Sequence, residues 1–200
     1  MTSTINEEGH QTLYGYDKAG RVCWVQSGDR LTDYRYDSLG RLSCTVESLP
    51  HGLARLKFKK YDWLDRVIEE RTEDEKGTLF RQERYAYDAE GNKTLVDHAG
   101  SITLTTYNAH GNPIYICDAL GHETRTSYDY NWINELGQRV LKCTSTDPQG
   151  YLNSEIFDAS QHVAEKIRCN PFGLVVAHQK ISYSIRGQTE KVEDLSIEGG

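Results

Sequence analysis

The 200-residue chain carries 30 acidic against 23 basic side chains, a formal net charge of −7, and no basic run. That balance argues against nucleic acid and anionic membrane surfaces as partners, and no apolar stretch is long enough to enter a bilayer. Only 37% of the residues are hydrophobic, but thirteen are Tyr and three are Trp, which suits a thin sheet with wet aromatic edges better than a dense aliphatic sandwich.

The predicted elements, in chain order, are short strands cut by one recurring turn. Residues 1–12 are set aside as an N-terminal tail; Met1 to Glu8 has neither the basic start nor the apolar run of a signal peptide. Asp-x-x-Gly then occurs at Asp17–Gly20, Asp37–Gly40, Asp74–Gly77, Asp88–Gly91, Asp97–Gly100, Asp118–Gly121 and Asp147–Gly150. Asn replaces Asp at Asn108–Gly111, Asn134–Gly137 and Asn170–Gly173, and Ser does so at Ser184–Gly187. Asp, Asn or Ser opening a type I turn accepts a bond from the backbone two residues on, and Gly at the fourth position takes the left-handed conformation that returns the chain to a strand. Asn keeps the accepting oxygen but loses the titrating proton, so the exchange fits a turn cap and not a repeated general acid.

Between the turns, segments such as Thr103–Tyr107, Ile114–Cys117 and Thr124–Tyr128 are rich in β-branched and aromatic residues with period-2 character. Gly28, Gly52, Asp65 and Gln161 mark further turns, Asp65 and Gln161 standing where Gly is expected. Trp132–Leu141 is the one stretch with room for a turn or two of helix, because Asn131–Glu135 reads as an insertion between Asp129 and Gly137. Residues 13–192 thus read as an antiparallel hairpin array, and 193–200 as a C-terminal tail.

Every second turn is preceded by an aromatic residue: Tyr16, Tyr36, Tyr61, Tyr87, Tyr107, Tyr128 and Phe157. Tyr14, Tyr34 and Tyr85 add a second aromatic on the same strand face, and Arg21, Arg41 and Arg66 follow the turn. Each unit is a hairpin whose tyrosine column is buried by its neighbours.

Tyr16-Asp17-x-x-Gly20-Arg21-Val22 and Tyr36-Asp37-x-x-Gly40-Arg41-Leu42 resemble the YD repeat of the Rhs (rearrangement hotspot) family, with the resemblance sharpest in 14–42 and 85–122. It implies structural roles for Tyr16, Asp17, Gly20, Arg21, Tyr36, Asp37, Gly40, Arg41, Tyr61, Asp62, Arg66, Tyr87, Asp88, Gly91, Tyr107, Asn108, Gly111, Asp118, Gly121, Tyr128 and Asp129. It also implies an all-β fold in which a long β-sheet strip coils into part of a hollow shell. In bacterial members that shell encloses a C-terminal toxin or effector domain; in teneurins it serves adhesion. The family's self-cleaving core has no counterpart here: Asp147-Pro148-Gln149-Gly150 resembles one of its elements but sits in turn register.

The expected function is therefore encapsulation or presentation of a toxin or effector domain, without catalysis, cofactor or metal. The partners are that domain or further repeats of a parent protein. The family implies secretion or cell-surface display, and a stand-alone fragment would be cytoplasmic. The alternative is a surface carbohydrate-binding or adhesion module that stacks glycans on Tyr14, Tyr34 and Tyr85. His98, His110 and His122 recur every 12 residues, a spacing the turn register explains without a metal. The five cysteines form no C-x-x-C pair and read as free thiols. No nucleophile elbow, H-E-x-x-H or P-loop is present.

Overall fold

The computed structural model describes residues 2–5 and 11–195. Apart from a 3-10 turn at Pro50–Gly52, every regular element among them is a β-strand, and each strand runs antiparallel to its partner. The chain divides into two compact units, 1–102 and 103–200.

In the first unit β1 (Thr2–Ile5), β2 (Gln11–Tyr16), β3 (Val22–Ser27), β4 (Arg30–Tyr36), β5 (Leu42–Ser48), β6 (Ala54–Tyr61), β7 (Val67–Asp74), β8 (Leu79–Tyr87) and β9 (Lys93–His98) pair in sequence order. In the second, β10 (Ser101–Tyr107), β11 (Pro113–Cys117), β12 (Glu123–Ile133), β13 (Arg139–Thr146), β14 (Leu152–Phe157), β15 (Val163–Cys169), β16 (Val175–Tyr183) and β17 (Thr189–Asp194) do the same.

Three expectations change. Residues 2–5, set aside as tail, form β1, with Ser3 opposite Leu13; residues 193 and 194 belong to β17. Trp132 and Ile133 extend β12, and the turn falls at Asn134–Gly137, so no helix forms there. Asp129 does not open a turn at all: it lies within β12 opposite Lys142, and its Oδ1 accepts the Asn131 N–H at 2.9 Å. The insertion is absorbed by a register shift between Asp129 and Trp132.

The turn has one construction. At Asp37 the N–H donates to the Arg41 carbonyl at 2.8 Å and the carbonyl accepts the Gly40 N–H at 3.0 Å. This is a three-residue hairpin loop ending in a left-handed residue. The same pair of bonds closes the loops that open at residues 17, 62, 74, 88, 108, 118, 134, 147, 158, 170 and 184. The turn-opening side chain does more than the sequence rule requires. Asp37 Oδ1 accepts both the Leu39 and the Arg41 N–H, each at 2.9 Å, so one oxygen ties the loop apex to its exit.

Gly40 has φ 86°, a conformation costly for a side chain with a Cβ. Asp65 and Gln161, the two departures from Gly, hold the same conformation at φ 62° and 66°. The strain is therefore accepted at those positions and the loop geometry kept. Asp97–Gly100 matches the motif in letters but folds differently: Asp97 Oδ1 accepts the Gly100 N–H at 2.6 Å, and Ala99 is left-handed at φ 52°.

Where the motif aromatic meets the turn, the ladder slips by one residue. Tyr36 pairs with Leu42 while Arg35 pairs with Cys44, leaving Ser43 as the bulged residue. The slip recurs before Tyr16, Tyr61, Tyr87, Tyr107, Phe157 and Tyr183. Such a bulge re-aims the preceding side chain.

Little is enclosed. The buried apolar side chains among the described residues are Cys44, Val140 and Ile156, and the one buried charged side chain is Glu83. Gly15 is also buried because the Trp24 indole lies over it: a Cβ there would sit 2.0 Å from the ring nitrogen. Nearly all the described residues are half-buried or exposed, so backbone ladders, turns and contacts between hairpins carry more of the stability than a shared core does.

Candidate functional site

The repeated polar residues converge on a clasp between successive hairpins. Its first part is the turn: Arg41 Nε donates to Asp37 Oδ2 at 2.7 Å, and Arg66 Nε to Asp62 Oδ2 at 2.7 Å. The two bonds that Asp37 Oδ1 accepts already point its carboxylate at that guanidinium.

The second part crosses to the next hairpin. Arg21, Arg41 and Arg66 lie over the rings of Tyr36, Tyr61 and Tyr87, with guanidinium carbons 4.3, 4.8 and 4.7 Å from the centroids. Arg41 Nη1 also donates to the Asp62 carbonyl at 2.9 Å, and Arg66 Nη1 to the Asp88 carbonyl at 2.8 Å. Arg41 and Arg66 thus each close their own turn, cover the next tyrosine and bind the turn after that tyrosine, while Arg21 closes its turn and covers Tyr36.

The third part runs backwards. The hydroxyl of Tyr36 donates to the Val22 carbonyl at 2.7 Å, Tyr61 to Leu42 at 2.8 Å and Tyr87 to Val67 at 2.7 Å. In the second unit Tyr128 reaches Pro113 at 2.9 Å and Tyr183 reaches Val163 at 2.9 Å. In all five the acceptor is the carbonyl five residues after the turn-opening residue that directly follows the previous aromatic of the series. These tyrosines are half-buried, and burial pushes the Tyr87 phenol above its ordinary range.

Electrostatics reinforces the arrangement. The Asp17 and Asp37 carboxyls are held below the ordinary carboxylate range, chiefly by the N–H of the arginine four residues on. Asp88 and Asn108 sit in the same loop geometry with Asn at the fourth following position: Asn92 Nδ2 bonds Asp88 Oδ2 at 2.9 Å, and Asn112 turns its Nδ2 to the Tyr130 hydroxyl at 2.8 Å. Asp118–Gly121 is a turn of the same build, with no motif aromatic ahead of it.

The three tyrosines singled out for ligand stacking are Tyr14, Tyr34 and Tyr85, and all are half-buried. Tyr85 is engaged on both sides: its hydroxyl donates to Glu83 Oε2 at 2.7 Å, and Lys93 Nζ lies 4.0 Å from its ring centroid. Tyr16, at the start of the series, is exposed and its hydroxyl meets Thr2 Oγ1 at 3.1 Å.

Sequence reasoning missed Glu83. Its Oε1 receives Arg81 Nη2 and His98 Nδ1, both at 2.7 Å. Arg81, with the Tyr85 hydroxyl next, holds its carboxyl low despite burial. Alternation in β8 places Glu83 and Tyr85 on one face, the only signal available beforehand; the contribution of His98 from β9 follows from the register. The His110 ring packs tilted against Tyr130, with centroids 4.9 Å apart, and His122 Nδ1 meets Asp118 Oδ2 at 3.0 Å, so the regularly spaced histidines have separate partners. Among the described residues no three His, Cys, Asp or Glu side chains are grouped as metal ligands, and the five cysteines are free.

Fold and site together define an antiparallel hairpin-repeat protein in which recurrent Asp, Arg and Tyr tie successive hairpins of the first unit, and Tyr128 and Tyr183 make the backward bond in the second. No family model matches the sequence, and no curated protein does. Among solved structures, the chain is similar to one described as "Crystal Structure of TcdB2-TccC3-Cdc42", with 13% identity and a TM-score of 0.39 over 88% of this chain. The match spans 10% of the length of that chain.

Proposed function

We propose that this chain is a non-catalytic structural module, a wall segment of a YD-repeat assembly that encapsulates or presents a toxin or effector domain. The observation behind this reading is the clasp. The Asp, Arg and Tyr side chains that recur along the chain bond to turns and backbone of adjacent hairpins, which leaves them no common pocket in which to do chemistry. The same bonds occupy the ring faces and hydroxyls of Tyr36, Tyr61 and Tyr87, which a glycan would need. The wall acts by separating its two faces, and its partners are the enclosed domain and neighbouring repeats.

The test is recovery of the native polypeptide from its source cells with an antibody against residues 11–195, followed by intact mass and limited proteolysis. The reading expects an effector domain, in the same polypeptide or bound to it, that resists protease until Tyr36→Ala and Tyr61→Ala open the wall. Saturable polysaccharide binding, lost on changing Tyr34 and Tyr36 while the circular dichroism of the fold survives, would overturn it in favour of the carbohydrate-binding module.

A further inference from the structure

The ladder sets side chains from four neighbouring strands of the first unit side by side on one sheet face. Arg35 of β4 lies opposite Cys44 of β5, Cys44 opposite Phe58 of β6, and Phe58 opposite Arg71 of β7; residues directly opposite in a ladder share a face. At a strand spacing of about 4.8 Å the two arginines leave the backbone about 14 Å apart, with the Cys44 thiol and the Phe58 ring as a floor between them. The result is a groove of about 330 Å³. Lys60 and Glu69, an opposed pair two residues further along the same face, close one end.

The clasp uses none of these residues, and their charges are only partly matched. Lys60 Nζ and Glu69 Oε2 pair at 3.0 Å, which leaves the arginines. Arg35 is exposed, and among the described residues its guanidinium has no hydrogen-bond or ion-pair partner; Asp33, on the same face, forms no ion pair with it. Arg71 rests on the Phe58 ring, its guanidinium carbon 4.4 Å from the centroid. Its Nε–H is buried and finds no acceptor among the described residues, with Glu73 Oε2 standing off at 3.5 Å. The Arg71 side chain as a whole is 37% exposed, so a small rotation presents that N–H to an acceptor in the groove. Both guanidinium groups act on one sulfur: burial pushes the Cys44 thiol above its ordinary range, while the charges of Arg35 and Arg71 pull it down.

We infer that this groove receives the carboxylate of an acidic side chain on a partner polypeptide, an aspartate or glutamate flanked by an apolar residue. The carboxylate lies between Arg35 and Arg71, whose planar forks match its two oxygens, and the apolar neighbour lies on Cys44 and Phe58. Magnitudes decide between a polypeptide and a free acid. An exposed arginine–carboxylate pair is worth about 0–1 kcal/mol, and an open groove cannot enclose a small ligand as a binding pocket does. A free acid is therefore held too weakly, whereas a polypeptide brings further contacts along the sheet. The inference stands apart from the encapsulation reading; under that reading the enclosed domain is one source of the segment, and either can fail alone.

An NMR titration of the isotope-labelled full-length chain tests this. The probes are the blocked pentapeptide acetyl-Ala-Leu-Glu-Leu-Ala-amide, its glutamine counterpart, and hexanoate. The glutamate peptide should shift the backbone amide signals of Arg35, Cys44, Phe58 and Arg71 saturably. The glutamine peptide should bind about fivefold more weakly, and hexanoate also more weakly. Arg35→Gln alters an exposed side chain without bonds, so the fold survives, and affinity for the glutamate peptide should fall by the same factor. Arg71→Lys keeps the charge but loses the fork, and should weaken binding too. Equal affinity for the two peptides would overturn the inference, as would an Arg35→Gln chain that binds the glutamate peptide unchanged, or the lack of any saturable shift. Hexanoate binding as tightly as the glutamate peptide would overturn it in favour of a free acid.

Discussion

Replacing Tyr61 by Phe removes one atom and asks what the clasp contributes. The lost bond is the 2.8 Å donation from the hydroxyl to the Leu42 carbonyl, at a partly buried site where such a bond is worth about 1 kcal/mol net. The ring stays beneath Arg41, whose bonds to Asp37, the Asp62 carbonyl and Asp65 do not involve the hydroxyl. Tyr61→Ala also removes the ring and its guanidinium contact; with a half-buried ring the expected loss is about 2–3 kcal/mol. Tyr16→Phe is the control, because that residue is exposed and, among the described residues, its hydroxyl meets a threonine side chain; its effect should stay within about 0.5 kcal/mol. Urea unfolding followed by the fluorescence of Trp24 and Trp63, both in the first unit, reads all three as midpoint shifts at unchanged m-value. Equal shifts for Tyr61→Phe and Tyr16→Phe would refute the idea that the tyrosine column is a set of bonds between hairpins.

The turn and strand geometry leads to three more expectations. Gln161→Gly should stabilise the chain by up to about 1 kcal/mol, since φ 66° is costly for glutamine and the entropy penalty of glycine offsets only part of that; a lowered melting temperature would contradict this. Gly15→Ala should cost about 1–3 kcal/mol by forcing the Trp24 indole off the strand, visible as a change in tryptophan emission before any unfolding. The Asp74 carboxyl is held low chiefly by the Thr78 N–H, so its stabilisation is complete above the unfolded value near pH 4 and is lost as pH falls through the lower folded value. Asp74→Asn keeps the accepting oxygen and should flatten the acid limb of the stability–pH curve; an unchanged limb would place the acid sensitivity elsewhere.

The turns were legible because their cause is local. Asp, Asn or Ser followed three residues later by a left-handed position specifies the loop almost alone, and even Asp65 and Gln161 take the conformation that their place in the series demanded. The clasp was only half legible. The Tyr–Asp and Gly–Arg pairings stand out along the chain, but the reach of Arg41 to Asp62, or of Tyr61 back to Leu42, spans about 20 residues and depends on a register shift that no propensity encodes. Asp129 shows the opposite failure, a motif residue in letters whose turn had moved to Asn134. β1 was invisible because Thr2–Ile5 is too short to declare itself; its pairing with β2 makes it a strand. Glu83 escaped notice because an acidic residue in a strand is ordinarily solvated, and what buries it comes partly from β9.

The clasp is measured from the turn and not along the strands. Tyr36, Tyr61 and Tyr87 lie 20, 25 and 26 residues beyond the preceding member of their series, yet their hydroxyls reach the equivalent carbonyl at 2.7, 2.8 and 2.7 Å. Every length difference is taken up in the strands and in the loops at the far rim, such as Pro50–Gly52 and Glu75–Lys76. Chain length and mechanical continuity are thereby uncoupled. Residues can be gained, lost or grafted at the far rim while the other rim stays locked, so this protein can vary one border freely without altering how its hairpins hold together.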